Sequence, residues 1–202
     1  MGPAPGMNPS ATPREKSSGR EPEGETVFLG LGSNLGDREG HLRRGLAGLG
    51  EFVRLEGVSG IYDSAPVGGS AQRRFLNLVV RGRTRLSPRA LLRCTQEVEA
   101  RAGRARDAPR NDPRTLDVDI LFYGAQVISE EGLEIPHPRW RERAFVLLPL
   151  REVGEDWVDP GSGDPLTKFD VGTLEREQDI RVFGPPPEPW KGEGMEETER
   201  AK

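Results

Sequence analysis

The sequence predicts an α+β fold in which an antiparallel sheet carries helices on its face, and three observations lead there. The apolar pattern switches between strand and helix periods in the order strand, helix, strand, strand, helix, strand. Both helical stretches carry their own stop residue, and the second carries a capping start as well. The two ends of the chain lack the apolar residues a core needs, which leaves one domain of ordinary size between them.

The first strand is Thr26-Val-Phe-Leu-Gly-Leu31, closed by the turn Gly32-Ser33-Asn34-Leu35-Gly36-Asp37. Leu42, Leu46 and Leu49 then recur at spacings of four and three, a helical apolar stripe that Gly50 can end. Residues 52–62 read as one strand, stopped by turn residues at 64–70, and 75–84 as the next. Ser87 before Pro88 is a cap followed by a residue whose fixed φ suits a first helical turn. Leu91, Leu92, Thr95 and Val98 form the buried stripe of that helix, and Gly103 stands where a C-cap belongs. The last strand covers 116–122. This order is the split βαβ, or ferredoxin-like, arrangement. Beyond it, 126–129 suits a short strand, and 144–149 a buried turn or short helix.

Residues 1–25 contain five Pro and four Gly, with two Met and two Ala as their only hydrophobic residues, and read as a disordered N-terminal extension. They lack the basic start and apolar run of a secretory signal. The folded domain is expected at 26–160. A C-terminal extension follows at 161–202, packed in part and flexible from about 184, where Pro-Pro-Pro-Glu-Pro leads into a Glu-rich tail. No run of 18 apolar residues is present, so no membrane span is expected. The single cysteine, Cys94, excludes a disulfide framework and fits a reducing cytoplasm. Residues 151–202 hold 14 acidic and 7 basic residues, a net of −7, so with −4 for the whole chain the first 150 carry +3. Residues 101–114 alone hold five Arg against Asp107 and Asp112. Such a basic stripe serves phosphates, whether of a nucleotide or of RNA.

Pro113-Arg114-Thr115-Leu116-Asp117-Val118-Asp119-Ile120-Leu121 is the most informative stretch. In a strand, residues i and i+2 share a face, which sets Asp117 and Asp119 side by side, about 7 Å apart for a rise of about 3.3 Å per residue. Carboxylates that close repel each other unless a cation sits between them, and hard oxygens on a rigid strand suit Mg²⁺ carrying a polyphosphate. The bland alternative is a pair of edge-strand acids in ordinary salt bridges, which the apolar residues around them weaken. The 103–113 loop, with Arg104, Arg106 and Arg110 before Arg114, reads either as a solvated basic loop or as a lid whose guanidinium forks close over phosphates. Beside a two-carboxylate strand, the lid is the better reading. His137 in Ile-Pro-His-Pro is either a structural hydrogen-bonder or a phosphate contact. The 32–37 turn lacks the Lys-Ser/Thr ending of a phosphate-binding P-loop and reads better as a plain strand-to-helix turn. Phe75 and Asn77 share a strand face, and a ring beside an amide suits a flat heterocycle.

Together these segments resemble the 6-hydroxymethyl-7,8-dihydropterin pyrophosphokinase family. The resemblance rests on Leu-Gly-Ser-Asn-Leu-Gly-Asp at 31–37, Ser-Ala-Pro-Val-Gly at 64–68, Phe-Leu-Asn at 75–77 and Gly-Arg at 103–104. It continues with Pro-Arg-Thr-Leu-Asp-Val-Asp-Ile at 113–120 and Ile-Pro-His-Pro at 135–138, with Arg143 and Phe145. It implies a ferredoxin-like fold and transfer of diphosphate from ATP to the pterin's hydroxymethyl oxygen, with AMP released. It also implies that Asp117 and Asp119 hold two Mg²⁺ ions and that Arg104 and Arg114 neutralise the transferred group. By the same resemblance Gln96, Glu99, Arg106, Arg110, Ile120, His137 and Arg143 line the ATP site. Ser64, Pro66, Val67, Phe75, Asn77 and Phe145 hold the pterin. The chain departs from many members at Asn111-Asp112, where an aromatic-Gly pair is common, at Ala65 for a proline, and at Pro138 for an aromatic. The expectation is a monofunctional, monomeric, cytoplasmic enzyme with neither nucleic-acid nor membrane partner. The rival is an RNA-binding module of ferredoxin-like fold, which predicts aromatics interleaved on a central strand; none are found.

Overall fold

The computed structural model describes residues 24–66, 73–103 and 114–187. Its first part runs β1 (Glu25–Ser33), α1 (Arg38–Leu49), β2 (Arg54–Val58), β3 (Ile61–Ser64), β4 (Phe75–Thr84), α2 (Pro88–Arg101) and β5 (Asp117–Tyr123). The strands lie in the order β5-β1-β4-β3, with β2 also on β4, and all of these pairs are antiparallel. This is the α+β, ferredoxin-like arrangement. Asp37 caps α1 by accepting from the Gly40 N–H, and Ser87 caps α2 by accepting from the Ala90 N–H. Gly103 follows α2 at φ +92°, a left-handed conformation that glycine adopts at little cost.

One expectation needs correcting, and the expected architecture gains a layer. Residues 52–62 are two strands, because Ser59-Gly60 breaks them. The Ser59 hydroxyl accepts from the Val79 N–H at 2.9 Å and donates to the Gly60 carbonyl at 2.8 Å, while Gly60 N–H donates to Glu152 Oε2 at 2.8 Å. Val58 faces Val80 and Tyr62 faces Asn77, so four steps on one side oppose three on the other. Helices also cover both faces of the sheet. α1 and α2 pack on one face, over Leu29, Leu31, Val118 and Ile120. On the other lies α3 (Ala144–Val153), over Phe28, Val79, Leu121 and Phe122, with Trp140 beside it. Fully burying a side chain of this size is worth about 1.5–3 kcal/mol.

β5 contains a bulge. Phe28 faces Phe122 but Leu29 faces Ile120, which leaves Leu121 as an extra residue. Leu121 and Phe122 therefore both pack in the α3-side core, with Asp117 and Asp119 ahead of them on the same face. The Leu121 carbonyl accepts from the His137 N–H at 3.0 Å.

After β5 come a hairpin, β6 (Ile128–Glu130) and β7 (Leu133–Ile135), and a single 3₁₀ turn at Trp140–Glu142. α3 is followed by α4 (Val171–Glu177) and β8 (Ile180–Gly184), which pairs antiparallel with β3 and extends the sheet. Among the described residues no helix is long and apolar enough to cross a membrane.

Candidate active site

One end of the α3-side face stays open because β1 runs out of side chains there. Gly30 lies between Asp119 and Val79 in the ladder, and Gly32 between Asp117 and Asn77. A Cβ on Gly32 would stand 3.3 Å from Asn77 Oδ1 and 4.0 Å from Phe75 Cδ1; one on Gly30 would meet the Leu121 side chain at 3.5 Å. The two glycines are a floor, with carboxylates on one side and an amide and a ring on the other. Glycine inside a central strand marks such close approaches.

On the carboxylate side, Arg114 Nη1 donates to Asp117 Oδ2 at 2.7 Å. Asp119 Oδ2 lies 3.7 Å from Arg143 Nη1 and 3.8 Å from His137 Nε2. Both separations exceed hydrogen-bond length, so the groups converge without closing on one another. Asn34 sets the height of Arg114. Its Oδ1 accepts from Arg114 N–H at 2.7 Å, and its own N–H donates to the Arg114 carbonyl at 3.1 Å. The Gly-Ser-Asn turn thus serves as an anchor for the strand that brings the acids.

His137 is oriented at both ends. Its N–H bonds the Leu121 bulge, and its Nδ1 accepts from Arg139 N–H at 3.2 Å. A neutral ring so held carries its proton on Nε2, which points toward Asp119. Burial, then the Arg143 and Arg139 guanidinium groups, push its pKa down to about 4, so the ring is neutral at pH 7. Burial and Arg139 also lower the pKa of Arg143, which nonetheless stays charged. Its guanidinium carbon sits 5.4 Å from the centroid of the Phe145 ring.

On the other side, Asn77 Nδ2 donates to Ser64 Oγ at 2.9 Å and lies 3.5 Å from the Tyr62 carbonyl. That turns its Oδ1 toward the Gly32 floor. Ser64 is buried at the end of β3, Phe75 is half-buried at the start of β4, and Pro66 is the last described residue before 67.

Several of the expected residues lie elsewhere. Ile120 packs under α1 and α2, on the face opposite Asp117 and Asp119, so only its main chain remains to meet a ligand. Glu99 is buried on α2, and its Oε1 accepts from Val118 N–H at 2.9 Å at the outer edge of β5. Exposed Gln96 is on the same helix, so both reach the carboxylate face only around that edge. Val67, Arg104, Arg106 and Arg110 lie outside the described residues, as do Asn111-Asp112. Sequence reasoning missed Gly30 and Gly32 as a floor, Asn34 as an anchor and Leu121 as a bulge. Two glycines at i and i+2 in an apolar central strand were the available signal for the first. The expected donor set fits magnesium. No group of three His, Cys, Asp or Glu residues forms a metal cage among the described residues, but Mg²⁺ is commonly held by one or two carboxylates with phosphate oxygens and water completing its shell.

Comparison with known proteins places the chain in a family. The family model of 7,8-dihydro-6-hydroxymethylpterin-pyrophosphokinase (HPPK) matches residues 28–155. The chain is 46% identical over 129 residues to the 2-amino-4-hydroxy-6-hydroxymethyldihydropteridine pyrophosphokinase of Bacillus subtilis, covering 63% of this chain and 77% of that one. It is 38% identical over 144 residues to the enzyme of the same name from Aquifex aeolicus, covering 71% and 89%. In fold it resembles a Plasmodium falciparum HPPK-DHPS structure with pteroate, with a TM-score of 0.59 at 14% identity over 79% of this chain and 45% of that longer one. On the strength of the matched stretch, which contains both acids, the glycine floor, Asn77 and Arg143, the chain belongs to the 7,8-dihydro-6-hydroxymethylpterin-pyrophosphokinase family.

Proposed function

We propose that this protein transfers diphosphate from ATP to 6-hydroxymethyl-7,8-dihydropterin in folate synthesis, releasing AMP. One observation carries the reading. Two carboxylates flanked by Arg114, Arg143 and a neutral histidine face an oriented amide and a ring across a glycine floor. In the reaction the hydroxymethyl oxygen bonds to the β-phosphorus, the bond from that phosphorus to the α,β-bridging oxygen breaks, and AMP leaves with that oxygen. The hydroxyl proton is lost. Magnesium bound to the triphosphate supplies neutralisation of its charge, and Asp117 and Asp119 would hold it, as two ions.

The remaining work falls to the chain's own side chains. Arg114, together with Arg104, stabilises charge on the moving group; a well-placed arginine contributes roughly 10³–10⁵ in rate to such transfers. Arg143 and His137 Nε2–H donate to phosphate oxygens, and a ring neutral at pH 7 acts there as donor rather than as cation. Gln96, Glu99 and the Ile120 main chain take the rest of the nucleotide, and by the family resemblance Arg106 and Arg110 join them. Phe75 and Phe145 stack on the pterin faces. Asn77 Oδ1 accepts from the pterin's N–H groups beside Ser64 and Pro66, and by the family resemblance Val67 is a further pterin contact. Stacking and a directed acceptor together select a flat heterocycle. The reading carries with it a monomer working in the cytoplasm on two small substrates, without nucleic acid.

Incubation with ATP, Mg²⁺ and the pterin, followed by ³¹P NMR, should yield AMP and a pterin diphosphate in equal amounts, and EDTA should stop the reaction. ADP as product, or salt-sensitive RNA binding with no pterin binding, would sink the proposal.

A further inference from the structure

The chain continues past the matched stretch through α4 into β8, and the join between these elements touches both walls of the site. Gln178 Oε1 accepts from Ala144 N–H at 2.9 Å, and its Nε2 donates to the Glu142 carbonyl at 2.6 Å. Those two groups flank Arg143, whose own main chain is extended (φ −114°, ψ 108°) just before α3. A side-chain amide that takes the N–H of one neighbour and the C=O of the other does what a paired β-strand would do. It fixes the two peptide planes on which the Arg143 Cα is hung.

The next two residues continue the fastening. Asp179 has φ +42°, a left-handed conformation that costs a non-glycine residue about 1 kcal/mol or more and persists only where its surroundings hold it. Its carbonyl accepts from Ala65 N–H at 3.2 Å and from Arg74 Nη2 at 2.8 Å, while its carboxylate pairs with Arg74 Nη1. Arg74 in turn bonds Asp63, next to Ser64. Ile180 is buried against Tyr62 and Ala144, with Phe145 alongside. Three consecutive residues therefore tie the end of β3, which carries Ser64, to the start of α3, which carries Arg143 and Phe145.

We propose that Gln178 is a positioning residue for this reaction: it holds the Arg143 main chain so that the guanidinium reaches the phosphate site beside Asp119. The inference rests on Arg143 being a phosphate contact, as proposed above. The competing role is a staple that adds stability and leaves binding alone. Calorimetric titration with Mg²⁺ and α,β-methylene-ATP separates the two, using wild type, Gln178→Ala, Gln178→Glu, Arg143→Ala and the Gln178→Ala/Arg143→Ala double variant. Gln178→Glu keeps the acceptor for Ala144 N–H but sets a carboxylate against the Glu142 carbonyl, so it serves if the alanine variant fails to fold. Each Gln178 variant should bind about tenfold more weakly, the scale of one or two lost hydrogen bonds. In the Arg143→Ala background, Gln178→Ala should add nothing. Additive losses overturn the inference, as does wild-type affinity in a Gln178 variant that merely melts at lower temperature. Wild-type affinity in Arg143→Ala overturns the phosphate-contact reading and this inference together.

Discussion

Toward α3, the shared sheet face presents Phe28 from β1, Val79 from β4, and Leu121 with Phe122 from β5; two to four residues along the same strands it presents Gly32, Asn77, Asp117 and Asp119. Both ends stand on the same ladders and the same helical layer beneath. At one end every side chain is large and apolar, and aromatic rings interlock, with Phe122 and Trp140 centroids 5.0 Å apart. At the other end the middle strand offers no side chain, and the flanking strands offer polar groups already held by partners. The filled end keeps the strands rigid. The empty end uses that rigidity to hold charged groups at fixed spacing, which is what electrostatic catalysis requires.

This contrast can be broken at either end. Asp119→Ala should cut turnover at least about 10³-fold, on the scale of losing a principal charge-stabilising group in phosphoryl transfer, while circular dichroism and melting stay near wild type. Near-normal turnover would remove the carboxylate pair from the mechanism. Phe122→Ala, at the filled end, should do the reverse: about 3–5 kcal/mol lost from chemical denaturation, with substrate affinities preserved in the folded protein. Gly32→Ala lies between the two. Its methyl would enter the floor 3.3 Å from Asn77 Oδ1, so pterin affinity should fall about tenfold or more with less than about 1 kcal/mol change in stability. Unchanged pterin affinity would mean that the floor is not where the ring lies.

The smallest effect is with pH. His137 has a folded pKa of about 4 against 6.5 for the free side chain, so between those values the unfolded chain binds the extra proton. Stability of the free protein should therefore fall as pH drops from about 6.5 to 4 and be unaffected by this group above that window. The loss is bounded at about 3 kcal/mol and reduced by solvent screening. His137→Asn should flatten that part of the profile, measured by urea denaturation at pH 5 and 7.

What could be read from residues alone was whatever depends on period and on local chemistry. Strand and helix order, the Ser87-Pro88 start of α2, the shared face of Asp117 and Asp119, and the pairing of Phe75 with Asn77 all follow from neighbours in the chain. What could not be read depends on partners far away. Residues 52–62 have a continuous strand-like pattern; only the Ser59 hydroxyl on Val79 and the Glu152 carboxylate on Gly60 divide them. Leu121 would continue a regular alternation by itself; only its pairing with β1, where Phe28 faces Phe122 and Leu29 faces Ile120, shows it to be an extra residue. Asn34 looked like an ordinary turn residue, because its bonds to Arg114 cross 80 positions of chain.

The extra residue at Leu121 has a consequence for insertions and deletions. Loss of Val118 would make the two acids adjacent and put them on opposite faces of the strand. Loss of Leu121 alone would restore a regular ladder, in which Asp119 and Phe122 still project to the same side. What such a shortened strand gives up is the outward carbonyl that seats His137. β5 therefore contains one place where chain length can change without parting the acids from the Phe122 face, at the cost of a core side chain and of the bond that holds His137 beside Asp119.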